Sequence, residues 1–248
     1  MEWRIHHKAK TGSTNIDARS GSPGDVFTAD FQTAGRGRLD HKWLSSQGVN
    51  LAMSIVLPVA GLPPEQVATL PLVAGLAVVR AISRIAPGAA PALKWPNDVL
   101  IGGRKVCGIL CERDGDCVIA GIGVNVKRQE FPPELAERAV SLCDAAGFCG
   151  SVEEVRDAVL DEIGRLFEEW KADGFAALWP EVAKIDFLRG REISVLQTDS
   201  DTAPTSGVCG GIRREGSLDV GGIAVYAGEA HVVSAGRRTC VQQASRRS

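Results

Sequence analysis

The sequence has no secretory leader and no long apolar run. Its first residues, MEWRIHHKAK, contain no apolar segment of the kind a signal peptide needs. No run approaches 18 uncharged apolar residues, and ATLPLVAGLAVV is short enough to predict a buried core helix instead. We therefore expect a cytoplasmic protein that has no membrane partner.

A disulfide framework, a zinc site and a strong net charge are also missing. The seven cysteines are an odd number, and without a secretory leader we expect reduced thiols. The closest pair, Cys107 and Cys111, has no second pair at zinc-ligand spacing, which favours small apolar strand residues over a metal site. The net charge of −2 at pH 7 provides no global field that would attract nucleic acid.

Neither of the two common nucleotide-binding motifs is complete. GIGVNV (121–126) is not a G-x-G-x-x-G that opens a helix, and the chain contains no G-x-x-x-x-G-K-[ST]. A Rossmann fold and a P-loop are therefore excluded. The segment nevertheless offers glycine backbone that a ligand can approach, and the amide of Asn125 can contact an adenine or a phosphate.

The remaining patterns predict a mixed chain followed by a small β unit. Strands are predicted at 25–32 and 49–57 and in three runs between 92 and 126, and helices over 63–88, with a kink or a later start at Pro71, and over 151–170. Ser151 and Glu154 form a capping box for the second helix. We divide the chain into a catalytic domain at 1–187, a small β domain at 188–236 and a disordered tail at 237–248.

Positive charge is concentrated in QTAGRGRLDHKW, residues 32–43. Gly35 and Gly37 stand beside its two arginines, where they let the backbone change shape and approach a ligand closely. A solvated loop needs no such glycines, whereas a phosphate site does, and a guanidinium donates paired bonds to phosphate. We interpret the loop as a site for a small anion, mobile until the anion arrives because its arginines are unpaired.

Three more segments carry polar groups in unusual settings. GSTN (12–15) can cap a helix or bind a polar head group, and the residues alone leave both open. In KWPNDV (94–99), Pro96 in a strand-like run predicts an edge, a bulge or a strand end. Asn97 and Asp98 then either form a turn with an Asx cap or are presented to a ligand at a strand end, and we favour the second interpretation. Lys105 in GRKVCGIL (103–110) begins an apolar strand, and its spacing does not separate a surface lysine from a ligand contact.

Taken in order, STN, QxxGRGR, KWPND, GRKxxGIL and GxGxN resemble the motifs of the biotin–protein ligases over residues 12–126. The later segment GIRREGSLDV…GGIAVYAGEAHVVS resembles the small SH3-like C-terminal domain of that family. The resemblance implies an α/β fold (α+β in strict usage), with a mixed, mainly antiparallel sheet, packed helices and a small C-terminal β-barrel. It also implies activation of biotin by ATP and Mg²⁺ to biotinyl-5′-AMP, and transfer of biotin to a lysine of a biotin carboxyl carrier domain of a carboxylase.

The resemblance also implies roles for single residues. Those lining the biotin head group would be Ser13, Thr14, Asn15 and Gln32. Those of the ligand-ordered loop would be Gly35, Arg36, Gly37 and Arg38. Those of the adenylate side would be Trp43 near the adenine, Asn97 near the phosphate, Gly108 and Asn125. The catalytic set would be Lys105, bridging the biotin carboxylate and the α-phosphate, Arg38, and Asp98, facing the incoming lysine; no protein ligand to a metal is expected.

Some features depart from the family pattern. Asp40 and His41 stand where the family often has Gly and Arg, which leaves less positive charge in the loop, and Asp40 is able to pair with one of its arginines. Only a short helix fits between STN and the strand at 25. Because eleven residues precede GSTN, we expect a ligase without a DNA-binding domain. The alternatives are a lipoate/octanoate-type ligase or acyltransferase of the same fold and a non-catalytic biotin-binding relative; the oligomeric state, a homodimer included, stays open.

Overall fold

The structure is a computed structural model that describes residues 1–39, 41–44, 46–197 and 203–233. Its larger part is built on a seven-stranded sheet. The strands are β1 (Arg4–Thr11), β2 (Asp25–Gln32), β3 (Asn50–Pro58), β4 (Ala92–Lys94), β5 (Asp98–Ile101), β6 (Arg104–Asp114) and β7 (Cys117–Asn125). Their spatial order is β1-β2-β3-β7-β6-β5-β4, in which β1 and β2 are parallel and the other neighbours antiparallel.

Helices cover the two faces of this sheet unequally. They are α1 (Thr14–Asp17), α2 (Pro64–Val67), α3 (Leu70–Ile85), α4 (Pro133–Ala136), α5 (Leu142–Ala146), α6 (Val152–Asp173) and α7 (Phe175–Val182). The long helices α3 and α6 pack on each other and on one face of the sheet, whereas the short α1, the 3₁₀ turn Ala18–Ser20 and the side chain of Trp43 lie on the other face. That second face is left accessible to a ligand.

Strand periodicity separates the core from the accessible face. In β6 and β7 the buried side chains Cys107, Ile109, Ile122 and Val124 belong to the core under α3 and α6. The 22 residues Pro64–Ile85 are long and apolar enough to cross a membrane by length and composition, but 67% of their most apolar window is buried inside the protein. This burial is typical of a core helix, as the sequence predicted.

A second sheet of five strands follows. The strands are β8 (Glu192–Leu196), β9 (Thr205–Ile212), β10 (Leu218–Val220), β11 (Ile223–Val225) and β12 (Glu229–Val232), in the order β11-β10-β9-β8-β12. Three donors of the first unit hold it through backbone carbonyls: Trp95 Nε1 donates to Gly216 O at 3.1 Å, and Trp179 Nε1 to Ile212 O at 2.7 Å. The third donor, Arg38, belongs to the site described below.

The predicted fold class and most predicted elements are confirmed. The predicted strand at 25–32 has the observed bounds, the strand predicted at 49–57 is shifted by one residue, and the Ser151 hydroxyl caps α6 by accepting from Glu154 N at 3.0 Å. Pro71 lies in the first turn of α3, so the later start is the correct alternative. The run 92–103 is two strands, separated at the cis Trp95–Pro96 bond. Closure of the second sheet into a barrel and the boundary at 187 stay predictions, and the tail at 237–248 and Asp40 lie outside the described residues.

Candidate active site

A buried polar network joins α1 to the accessible face of the sheet. Gln32 Oε1 accepts from Thr14 N at 2.8 Å and from Thr14 Oγ1 at 3.2 Å. Ser54 Oγ lies 2.6 Å from Asn15 Oδ1 and 2.7 Å from Thr14 Oγ1. Because an amide oxygen only accepts, the single Ser54 proton belongs to Asn15, and the single Thr14 hydroxyl proton is shared between Ser54 Oγ and the more distant Gln32 Oε1. Ser13 is buried at the N-cap of α1 but makes no side-chain capping bond, so capping does not explain its side chain.

Glycines on β6 and β7 make room for larger side chains on this face. Gly108 and Gly123 are cross-strand partners, and both lie under the indole of Trp43. A Cβ atom on Gly123 would lie 2.7 Å from Trp43 Cζ2, and one on Gly108 2.9 Å from Trp43 Cζ3. Gly121 lies in the same way under the Asn15 amide. The close approach that the sequence assigned to a ligand is therefore used here by Trp43, whose buried Nε1 has no hydrogen-bond partner among the described residues.

The basic loop forms a small hairpin. Trp43 N donates to Gly35 O at 3.0 Å, and Gly37 N donates to His41 O at 2.7 Å. Residues Arg36 and Lys42 form an isolated antiparallel bridge between these bonds. A Cβ atom on Gly35 would lie 3.2 Å from Gln32 Nε2, so the absence of a side chain at this position lets the hairpin pack closely against the polar network.

The expectation that the loop arginines are unpaired is wrong. Arg36 Nη1 lies 3.0 Å from Glu112 Oε1 on β6. Arg38 Nη1 donates to Gly228 O at 3.2 Å and to Asn97 Oδ1 at 3.4 Å. Each arginine has therefore found acceptors that lie far from it in sequence, and neither partner was predictable from the local pattern.

Arg38 connects the loop to the second sheet. Its acceptor Gly228 immediately precedes β12, and the adjacent Glu229 Oε2 lies 3.6 Å from His41 Nε2. Burial lowers the pKa of Arg38, and the negative charges of Asp98 and Glu229 oppose that shift. Arginine stays charged in spite of such a shift, so the site retains a partly desolvated cation.

Lys105 and Asp98 form an ion pair at the centre of the site. Lys105 Nζ lies 2.6 Å from Asp98 Oδ1 and 5.8 Å from the centroid of the Trp43 ring. Asn97, next to this pair, donates from Nδ2 to Ile109 O at 2.6 Å and thereby fixes the acceptor for Arg38. The strand end predicted from KWPND is confirmed, and it places an amide, a carboxylate and two cations together.

Asn125 lies behind Lys105, against its backbone. It is buried, and its Nδ2 donates to Val140 O at 3.2 Å and Lys105 O at 3.5 Å, which anchors the backbone behind Lys105. Cys107 and Cys111 are free thiols whose pKa values are raised by burial, that of Cys111 to about 12, in keeping with apolar strand residues. Within the described ranges, no three metal-ligating side chains cluster.

Comparison with known proteins decides the family. The profile of the Biotin/lipoate A/B protein ligase family matches residues 7–127. The biotin–[acetyl-CoA-carboxylase] ligase of Paracoccus denitrificans is 35% identical over 184 residues, which are 68% of this chain and 75% of that protein. The chain belongs to the biotin protein ligase family.

Solved structures of biotin protein ligases share the whole fold. The biotin protein ligase from Aquifex aeolicus in complex with biotin and ATP superposes with a TM-score of 0.82 at 30% identity, covering 92% of this chain and 99% of that one. The bifunctional ligase/repressor BirA of Bacillus subtilis is 44% identical over 131 residues, which are 50% of this chain but only 40% of that protein. The chain therefore spans less than half the length of that relative.

Three residues of the site were missed by sequence reasoning. Ser54 lies within an apolar strand, Glu112 at the end of another, and Gly228 in a turn of the second sheet. The only available signal was a polar residue in the otherwise apolar run LAMSIVL and the carboxylate that follows GILC. The predicted site residues are brought together on one face, but Asn125 contacts protein backbone, and its role toward a ligand stays a prediction.

Proposed function

We propose that this chain activates biotin with ATP and transfers it to a lysine of a biotin carboxyl carrier domain. The observation that carries the proposal is the convergence of Lys105 and Arg38 on Asn97 and Asp98, next to the buried network of α1. Two anions, a carboxylate and a triphosphate, have to meet in such a reaction. Clustered cations beside a polar pocket neutralise their repulsion.

In the first step a biotin carboxylate oxygen attacks the α-phosphorus of ATP. The bond between the α-phosphorus and the bridging oxygen breaks, and pyrophosphate leaves with the electron pair. Lys105 and Arg38 would stabilise the negative charge that builds on the α-phosphate, Lys105 after exchanging Asp98 for the substrate. Thr14, Asn15 and Gln32 would hold the head group, and Arg36, Gly37 and Trp43 would close over the mixed anhydride and exclude water.

In the second step the carrier lysine attacks the activated carbonyl carbon. The bond from carbon to the phosphate oxygen breaks, AMP leaves, and the amine loses a proton. Asp98 would face the incoming amine once Lys105 has turned to the phosphate, because its side chain is 20% exposed at the strand end. ATP would enter as its magnesium complex, with the metal held chiefly by the phosphates.

The alternatives are a lipoate/octanoate-type enzyme and a protein that binds biotin without turnover. The family profile includes both biotin and lipoate enzymes, but the Paracoccus and Aquifex relatives reported above are named for biotin. A binding-only protein would not need Lys105, Arg38 and Asp98 together. These features favour the biotin ligase.

The decisive experiment is incubation with biotin, MgATP and an apo carrier domain, followed by intact mass measurement of the carrier. The carrier should gain one biotinyl group, and a carrier whose acceptor lysine is replaced by arginine should gain none. Modification with lipoate and none with biotin would refute the proposal.

We further propose that the physical partner is the carrier domain and not DNA. The net charge of −2 supports this, since specific DNA binding draws heavily on positive charge. Fluorescence anisotropy at about 150 mM salt, against DNA and against the apo carrier, separates the two partners. Sequence-selective DNA binding under those conditions would overturn this part.

A further inference from the structure

Glu112 connects the buried polar network to the basic loop. Its Oε2 accepts from Asn15 Nδ2 at 2.8 Å, and Arg36 Nη1 lies 3.0 Å from Oε1 and 3.1 Å from Oε2. Arg19, in the 3₁₀ turn after α1, reaches Oε1 at 3.4 Å. The Glu112 side chain is 19% exposed, compared with 43% for Arg36 and 50% for Arg19, so the carboxylate is the least exposed of the three charged groups.

We propose that Glu112 is a positioning residue that sets the site for biotin before biotin binds. The inference rests on the proposed function and adds a residue that none of the sequence motifs assigned. Glu112 acts through two neighbours, Asn15 in the pocket and Arg36 in the loop, and touches neither ligand.

The first consequence concerns the orientation of an amide. Asn15 Nδ2 faces Glu112, and Oδ1 faces the Ser54 hydroxyl at 2.6 Å. The reversed amide would set Oδ1 against a carboxylate that only accepts, which is repulsive. Glu112 therefore selects one of the two amide orientations, and with it the donor–acceptor pattern offered to a ligand.

The second consequence concerns the loop. The hairpin 35–43 carries Arg36 on its first arm, and the contact with Glu112 fastens that arm to β6. A charge-assisted contact is stronger than a neutral one, but partial exposure reduces its effect. If the loop is in place in only a fraction of molecules, the apparent Kd for biotin rises by the reciprocal of that fraction.

The test compares Glu112→Gln with Asp114→Asn. The first substitution keeps the size of the side chain but removes its charge, and Asp114 is an exposed carboxylate at the end of the same strand. We expect E112Q to raise the Kd for biotin about 5- to 20-fold in titration calorimetry, with kcat at saturating biotin changed by less than about twofold. D114N should match the wild type in both quantities.

A double-mutant cycle with Arg36→Gln tests whether the effect of Glu112 on biotin binding depends on Arg36. If Glu112 acts largely through Arg36, the double variant should bind biotin no more than about twofold more weakly than R36Q alone. Fully additive losses would overturn the part of the proposal that concerns Arg36 and the loop, and an E112Q variant that binds like the wild type would overturn the whole proposal. If E112Q does not fold, Glu112→Asp is the replacement variant, because it keeps the charge and retracts it by one methylene. An unchanged Kd for biotin in that variant would also overturn the proposal. A wild-type chain that neither binds biotin nor releases pyrophosphate would instead refute the proposed function.

Discussion

Replacement of Lys105 by methionine removes the ammonium group and keeps most of the length of the side chain. Lys105 is 36% exposed and lies 2.6 Å from an Asp98 carboxylate that is 20% exposed. The ammonium is partly exposed but Asp98 Oδ1 is buried, so loss of the ammonium costs about 1–3 kcal/mol in the free energy of unfolding. The same charge, directed at a phosphate in a transition state, is typically worth about 3–4 kcal/mol, or roughly 10²–10³ in rate.

The two magnitudes predict a variant that folds but does not form the adenylate. Biotin-dependent pyrophosphate release by Lys105→Met should fall by about 10²–10³, while the thermal midpoint falls by roughly 2–12 °C. Arg104→Met is the matched control, because Arg104 is the exposed neighbour on the same strand and should leave the rate unchanged. Pyrophosphate release within about threefold of the wild type, from a folded Lys105→Met variant, would refute the assignment.

Three more predictions address the closing of the basic loop, the glycines beneath the Trp43 indole and the pH dependence of the free energy of unfolding. Trypsin cleavage after Arg36 or Arg38, followed by mass spectrometry, should slow when biotin and ATP are added, and equal rates would count against a closing loop. Gly123→Ala introduces a Cβ against the Trp43 indole and should weaken biotin binding in calorimetry, with about 1–3 kcal/mol lost from stability in denaturant titration; unchanged values would show that the indole is free to shift. Hydrogen bonds from Ser22 N and from the side chains at positions 4 and 6 hold the pKa of Asp25 below its ordinary value, against the opposing effect of burial, so its stabilisation is present above pH 3.8 and is lost as the pH falls through the lowered pKa. The difference in unfolding free energy between wild type and Asp25→Asn should therefore be largest near neutral pH and shrink under acid, and a difference that grows under acid would contradict this.

The motifs were predictable because each is a local string whose chemistry survives without its surroundings. A proline within a strand-like run indicates an edge, a bulge or a strand end from the local sequence alone, and here the polar pair that follows Pro96 lies at a strand end. Contacts between distant segments left no such mark. Glu112 and Gly228 pair with arginines that are separated from them by long stretches of chain, and a single carboxylate or glycine is too common to indicate a partner.

Strand β1 could not be predicted from the sequence for a different reason. Seven of its eight residues are exposed, and charged side chains are interspersed through RIHHKAKT, so neither an apolar alternation nor a buried run was present. The strand is held by parallel pairing with β2 and by ion pairs such as Arg4 with Asp25 at 2.8 Å. Backbone pairing at a sheet edge does not depend on a side-chain pattern, and the sequence therefore did not predict it.

Three hydrogen bonds between the first unit and the second sheet use the backbone of that sheet, in addition to the buried side chains, such as Ile193 and Leu218, that share one hydrophobic core with the first unit. The acceptors for Trp95, Trp179 and Arg38 are the carbonyls of residues 216, 212 and 228. At Gly216 and Gly228 the constraint is a backbone conformation, with φ of +92° and +148°, and not a side-chain chemistry. These three hydrogen bonds do not depend on the side chains of the second sheet, whereas the shared core does. We therefore expect the C-terminal module to be exchangeable only for one that brings three carbonyls to the same places and also supplies apolar side chains that complete the core, while the two tryptophans and the arginine that receive it are not free to change.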